Sequence, residues 1–170
     1  MANGRSEESL VRRKGYKPYG KYVKTISELK KDDSSVFYVG QINPRYLGGA
    51  IDLRRHSRYV ILTGYRYNHY MARHREMKGY ADLMPSVLEH PDVVGKSRFP
   101  RALRFIFSQQ YDKRYLSLIV EIKRKKREHE VISFFFEGER DIRARRRRAL
   151  VTWEREMKET TRPDRHPGIS

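Results

Sequence analysis

Apolar residues in this chain gather between Val36 and Phe136, and within that span their spacing changes from strand-like to helix-like and back. Val36-Phe-Tyr-Val39, closed by Gly40, is a short aromatic and β-branched run, and Tyr59-Val-Ile-Leu-Thr63 is a second; both predict strands. Between them Asn43-Pro44 starts a turn or short helix that Gly48-Gly49 breaks. The pattern predicts a helix from Tyr65 to Lys78, with Gly79 as a left-handed C-cap. A second helix is expected over Tyr80–His90. Asp82 suits its N-cap, Pro85 falls in its first turn, Leu83, Val87 and Leu88 share a face, and Pro91 stops it. Strand material follows: Asp92–Arg98, Leu103–Phe107, Tyr115–Ile122 and Val131–Phe136, the last a nearly unbroken apolar run of the kind found in central strands. The connections 109–114 and 123–130 have hairpin length. Strands, then two helices, then a meander predict an α+β domain, two helices packed on an antiparallel β-sheet.

The flanks read differently. Residues 1–35 are polar and basic, and predict a flexible basic arm with one helical turn near Thr25–Lys31. The domain itself is expected over 36–137. Residues 138–160 predict a basic C-terminal helix docked through Ile142, Leu150 and Trp153. Pro163, Pro167 and Gly168 make 161–170 an expected disordered tail. No internal repeat is visible.

Composition narrows the function classes. A chain of 170 residues that is 38% hydrophobic has room for one modest core. The absence of cysteine excludes disulfides, cysteine zinc sites and thiol catalysis, and it fits a cytoplasmic location. Arg5, Arg12, Arg13 and Lys14 precede no apolar run, so no secretory signal is expected. No stretch approaches the roughly 18 apolar residues of a membrane span. The 38 Lys+Arg against 21 Asp+Glu leave a formal charge of +17, which attracts polyanions and above all nucleic acid. Twelve tyrosines and seven phenylalanines add rings able to stack on bases, although strands also claim such residues for a core.

Two charge runs bear on this. Lys123–Arg127, with Lys123, Arg124 and Lys125, reads as a basic hairpin tip, either gripping a phosphate backbone or keeping a sheet edge in water. The five arginines Arg143, Arg145, Arg146, Arg147 and Arg148 read as a phosphate-contacting helix face, the alternative being a solvated tail. Tyr111, Lys113 and Tyr115 lie near the meander and are further candidates for binding substrate.

The densest chemistry lies in Asn68-His-Tyr-Met-Ala-Arg-His-Arg-Glu-Met77. On a helix His69, Arg73 and Glu76 stand at i, i+4 and i+7 and share a face, with Tyr70 and His74 turned from it by about 100°. RNA cleavage without metal needs a base for the 2′-hydroxyl proton, an acid for the departing 5′-oxygen and a fixed cation for the charge on the phosphoryl oxygens. Histidine suits the first two tasks and arginine the third. His69, Arg73 and His74 are therefore the candidate catalytic residues. For His74 the alternative is packing against Met77 and Met84. Zinc pairs on a helix come at i, i+4, whereas His69 and His74 are five apart, so no metal is expected. Gly48-Gly49 lacks the Lys and Ser/Thr of a phosphate loop, and no cofactor is expected.

From Phe37 to Phe136 the chain resembles the phage-associated nuclease-like domains of the barnase–EndoU–colicin–RelE superfamily. The residues that carry the resemblance are Phe37-Tyr-Val-Gly-Gln-Ile42, Val60-Ile-Leu-Thr63, His69, Arg73-His-Arg-Glu-Met77 with Gly79-Tyr80, Leu88-Glu-His-Pro-Asp-Val-Val94, and the strands Leu116–Ile122 and Val131–Phe135. The resemblance implies two helices against an antiparallel sheet and metal-independent RNA cleavage by transesterification. It further implies a toxin or mobile-element effector, sometimes held by an acidic inhibitor protein. Its site positions match His69, Arg73 and His74, and add Ser133 on the last strand. Two departures stand out: Arg75 replaces a usual proline, and Ser133-Phe134 replaces a usual Thr-Ala. The expected activity is thus that of a ribonuclease. The alternative is a non-catalytic nucleic-acid-binding protein of the same fold, ribosome- or genome-associated.

Overall fold

In the computed structural model, which describes residues 21–31, 33–98, 103–123 and 128–156, the chain is α+β. It forms β1 (Lys21–Val23), β2 (Ser35–Gln41), β3 (Tyr59–Thr63), α1 (Gly64–Arg73), α2 (Met84–Glu89), β4 (Val93–Lys96), β5 (Arg104–Tyr111), β6 (Arg114–Glu121), β7 (His129–Glu137), α3 (Glu139–Arg147) and β8 (Val151–Glu154). The strands make one sheet in the order β1-β2-β3-β7-β6-β5-β4-β8.

The sheet is mixed, which corrects the expected antiparallel, two-helix arrangement. The β4–β5–β6–β7 meander is antiparallel as anticipated, but β1 runs parallel to β2 and β3 parallel to β7. The cause is connectivity. After β3 the chain leaves to build α1, α2 and three strands, and β7 then returns alongside β3 in the same direction, as crossover connections require.

The expected boundaries also move. β1 and the 3-10 turn Ile26–Lys31 lie in the stretch assigned to a flexible arm, yet Ile26 and Leu29 are buried in the core. Residues 1–20 lie outside the described residues, as do 157–170. The first helix stops at Arg73 rather than Lys78, because His74 leaves helical geometry (φ −126°). Gly79 does not adopt the left-handed conformation expected of it. The second helix is divided into a 3-10 turn, Ala81–Leu83, and α2, and Asp82 does not cap it. The basic C-terminal helix ends at Arg147. Ala149, at φ 54°, turns the chain, and Val151-Thr-Trp-Glu154 becomes a strand on β4, as β-branched and aromatic residues favour.

The main core lies on one face of the sheet. Leu116, Leu118 and Val120 of β6 alternate into it, joined by Phe105 and Phe107 of β5 and Phe134 of β7, under Tyr67 and Tyr70 of α1 and Val87 and Leu88 of α2. Each such fully buried side chain contributes about 1.5–3 kcal/mol relative to exposure. On the other face α3 covers only one end of the sheet, where Ile142 packs with Val93, Tyr115 and Val151. Close approach there depends on Gly95. A Cβ at that position would lie 2.6 Å from Cδ of Arg145 and 3.0 Å from the Leu150 carbonyl oxygen.

Candidate nucleic-acid interface

α1 grows directly out of β3. Thr63 caps it, its Oγ1 accepting from the Arg66 backbone N–H at 3.2 Å. Tyr67 and Tyr70 turn inward and meet edge to face, with centroids 5.7 Å apart. Burial, then Tyr67 and Asp82, raise the Tyr70 phenol well above its usual range, and its hydroxyl has no partner among the described residues. Asn68 Nδ2 donates to Asp33 Oδ1 at 2.7 Å and ties the helix to the entry of β2.

With these residues committed inward, Tyr65, His69 and Arg73 form an outer rib. Tyr65 is 57% exposed, the largest exposure among the big apolar side chains of the described residues. Its ring lies nearly parallel to that of His69 (6.1 Å between centroids, 15° between planes). Arg73 is exposed and makes no ion pair among the described residues. At the helix end the His74 N–H donates to the Tyr70 carbonyl at 2.8 Å, while its Nδ1 lies 3.3 Å from Glu76 Oε1. His69 and Arg73 are thus exposed on the last turns of one helix, and His74, half-buried, caps its end. Ser133 is not with them. It pairs with Ile119 and points, half-buried, to the sheet face opposite the core that receives Tyr67 and Tyr70.

The expected binding residues divide the same way. At the β5–β6 turn Asp112 is left-handed (φ 57°), and Tyr111, Lys113 and Arg114 are exposed around it. Tyr115 instead is buried beneath α3, where burial and then Glu139 hold its phenol above the usual range. Lys123 is half-buried and engaged with Glu121 and Glu130, in a network that Arg104 and Arg66 complete at 3.3 and 3.4 Å. Burial alone would raise the Glu121 carboxyl, but Lys123 and Arg104 outweigh it and hold the group below its ordinary value. Arg124 and Lys125 lie outside the described residues.

The five arginines of α3 and its end do not act as one patch. Arg145, 7% exposed, is turned inward onto Glu137, with Nη2–oxygen distances of 2.7 and 2.9 Å. Glu137 also accepts from Ser117 at 2.6 Å, and Ser108 and Ser117 share a 2.8 Å hydroxyl contact. Arg146 is exposed but engaged by Glu154 and Glu139, and Arg143 pairs with Glu139 at 3.7 Å. Arg147 and Arg148 remain exposed with no ion pair among the described residues.

One residue was missed entirely from the sequence. His129, fully buried at the start of β7, donates from Nε2 to the Ser57 carbonyl at 2.6 Å and accepts at Nδ1 from the Lys123 backbone N–H at 3.0 Å. Those partners fix a neutral tautomer, and burial lowers its pKa from 6.5 to about 4. The one available signal was its place beside the apolar run that begins at Val131. No group of three or more His, Asp or Glu side chains able to hold a metal occurs among the described residues. No known family matches the chain, and neither a curated protein nor a solved structure does.

Proposed function

We propose that this protein binds nucleic acid, and RNA in particular, through the outer rib of α1. The observation that carries this is the exposed, near-parallel Tyr65–His69 ring pair one turn from an unpaired Arg73. Flat rings offer a stacking surface for bases, and the guanidinium offers a fork for phosphate. The charge of +17 supplies long-range attraction, and Arg147 and Arg148 add contacts outside the rib.

A second reading, metal-independent RNA cleavage, is favoured by the His74–Glu76 contact. It holds the imidazole of His74, the residue after Arg73, while His69 stands one turn before Arg73 on the same helix, which puts two imidazoles and a cation on one short stretch. This is the activity that the barnase–EndoU–colicin–RelE resemblance implies, and membership of that superfamily belongs to the proposal. Ser133 has no part in this grouping. An acidic inhibitor protein is a partner in keeping with the same basic surface.

One experiment separates the two. Single-stranded RNA is incubated with the protein in EDTA, and products are analysed alongside a mobility shift. A shift with intact RNA is the outcome for a binding protein. Fragments ending in 2′,3′-cyclic phosphate, lost in His69→Ala, would establish cleavage. No shift and no fragments would remove both readings.

A further inference from the structure

We propose that the ridge carrying this interface continues from α1 to the tip of the β5–β6 hairpin and is built for single-stranded nucleic acid, with Tyr111 as its second stacking platform. The inference rests on the nucleic-acid reading above and adds the class of strand.

Tyr80 makes the connection. It follows α1 by one 3-10 turn, Arg75–Met77, and a short bend, and its ring stands near-perpendicular to that of Tyr111, at 5.7 Å and 82°. Tyr80 also packs near-perpendicular against Phe136 of β7, with centroids 4.8 Å apart, so the bend after the helix is tied to both the hairpin and its neighbouring strand. Arg114 closes the cluster, with its guanidinium carbon 4.0 Å from the centre of the Phe136 ring. Tyr111 is thereby held against Tyr80 while 44% of it stays exposed. A ring already fixed loses little conformational freedom when a base lands on it.

The charge along this ridge is complementary to a phosphate chain. Arg73, Arg75, Lys78, Lys113 and Arg114 are exposed on these segments, against the exposed carboxylates of Glu76, Asp82 and Asp112, of which Glu76 already faces His74. Rings stand at both ends of this basic stretch, Tyr65 and His69 on α1 and Tyr111 on the hairpin. Cations flanked by exposed rings suit a strand whose bases are unpaired. Inside a duplex the base faces are covered by their neighbours, so a protruding tyrosine finds no face to stack on, whereas a single strand can splay its bases onto it.

The test measures fluorescence anisotropy of the full chain with a labelled oligouridylate and with a duplex RNA of equal length. Wild type is expected to bind the oligouridylate more tightly. Tyr111→Ala should weaken that binding by about 5- to 100-fold, as loss of one base–ring stack does, and leave duplex binding unchanged. Tyr111→Phe should retain it, and Arg147→Ala should weaken both probes alike. Circular dichroism of Tyr111→Ala confirms the fold. If Tyr111→Ala changes neither probe, or weakens both by one factor, the ridge proposal is overturned while the nucleic-acid reading stands. If wild type binds neither probe, the reading itself falls, and the ridge with it.

Discussion

His129 couples the fold to pH through a single ring. Both nitrogens are spoken for, one donating to Ser57 and one accepting from Lys123, so a second proton would displace the Lys123 N–H and place charge in a buried site. Its folded pKa, about 4, lies below the ordinary 6.5. The unfolded chain therefore takes up a proton first as pH falls. Stability from this residue is complete above 6.5, declines between 6.5 and 4, and levels off below, for a total of about 3 kcal/mol. Urea unfolding at steps from pH 7 to pH 4 should show that decline, and His129→Gln should flatten it; an equal slope in both proteins would place the effect elsewhere. At this scale the sequence was informative where local spacing decides. His69 and Arg73 share an exposed rib because i, i+4 residues on a helix do. Ser133 was not legible. Period-two counting from Val131 puts it on the core face, but the register shifts between Ile119 and Val120, so Phe134 takes the core and Ser133 faces away. A bulge depends on the partner strand, which no local pattern reports.

α3 shows how an element sorts a run of identical residues. Five arginines close together in sequence become one buried ion pair, two surface pairs and two open cations. The buried one is set apart by Glu137, at the end of β7, and by the space that Gly95 leaves for its side chain. Arg145→Ala should cost about 3–5 kcal/mol, since it strands a buried carboxylate, whereas Arg147→Ala should fall within about 0.5 kcal/mol. Chemical denaturation of the two variants decides this, and equal losses would contradict the buried pair. The sequence pointed to a basic helix over 138–160 docked through Ile142, Leu150 and Trp153; Ile142 of the shorter α3 is buried, but Trp153 lies in β8, which the sequence hid. Val151-Thr-Trp-Glu154 is too short to stand out against helix-prone neighbours, and it becomes a strand because β4 offers a free edge.

For the molecule as a whole, the charge of +17 implies that binding weakens as salt rises. An Arg147→Ala/Arg148→Ala double variant should lower the slope of log affinity against log salt by about 1–2, with little change in base preference. Anisotropy titrations across salt concentrations would show it; an unaltered slope would mean that these arginines do not meet phosphate. The α+β class was legible because the helices and most strands carry their own periodicity. The mixed topology was not, because parallel pairing is a relation between distant segments and leaves no local mark.

That relation has a temporal side. Val60 lies beside His129, so the seam between β3 and β7 joins positions far apart in the chain. During synthesis the first three strands emerge from the ribosome with the β3 edge open, and that edge waits for the whole meander before β7 can cover it. Contacts of such long sequence separation raise the entropic barrier to folding. An unguarded strand edge in that interval is a place where a nascent chain can pair with the wrong neighbour.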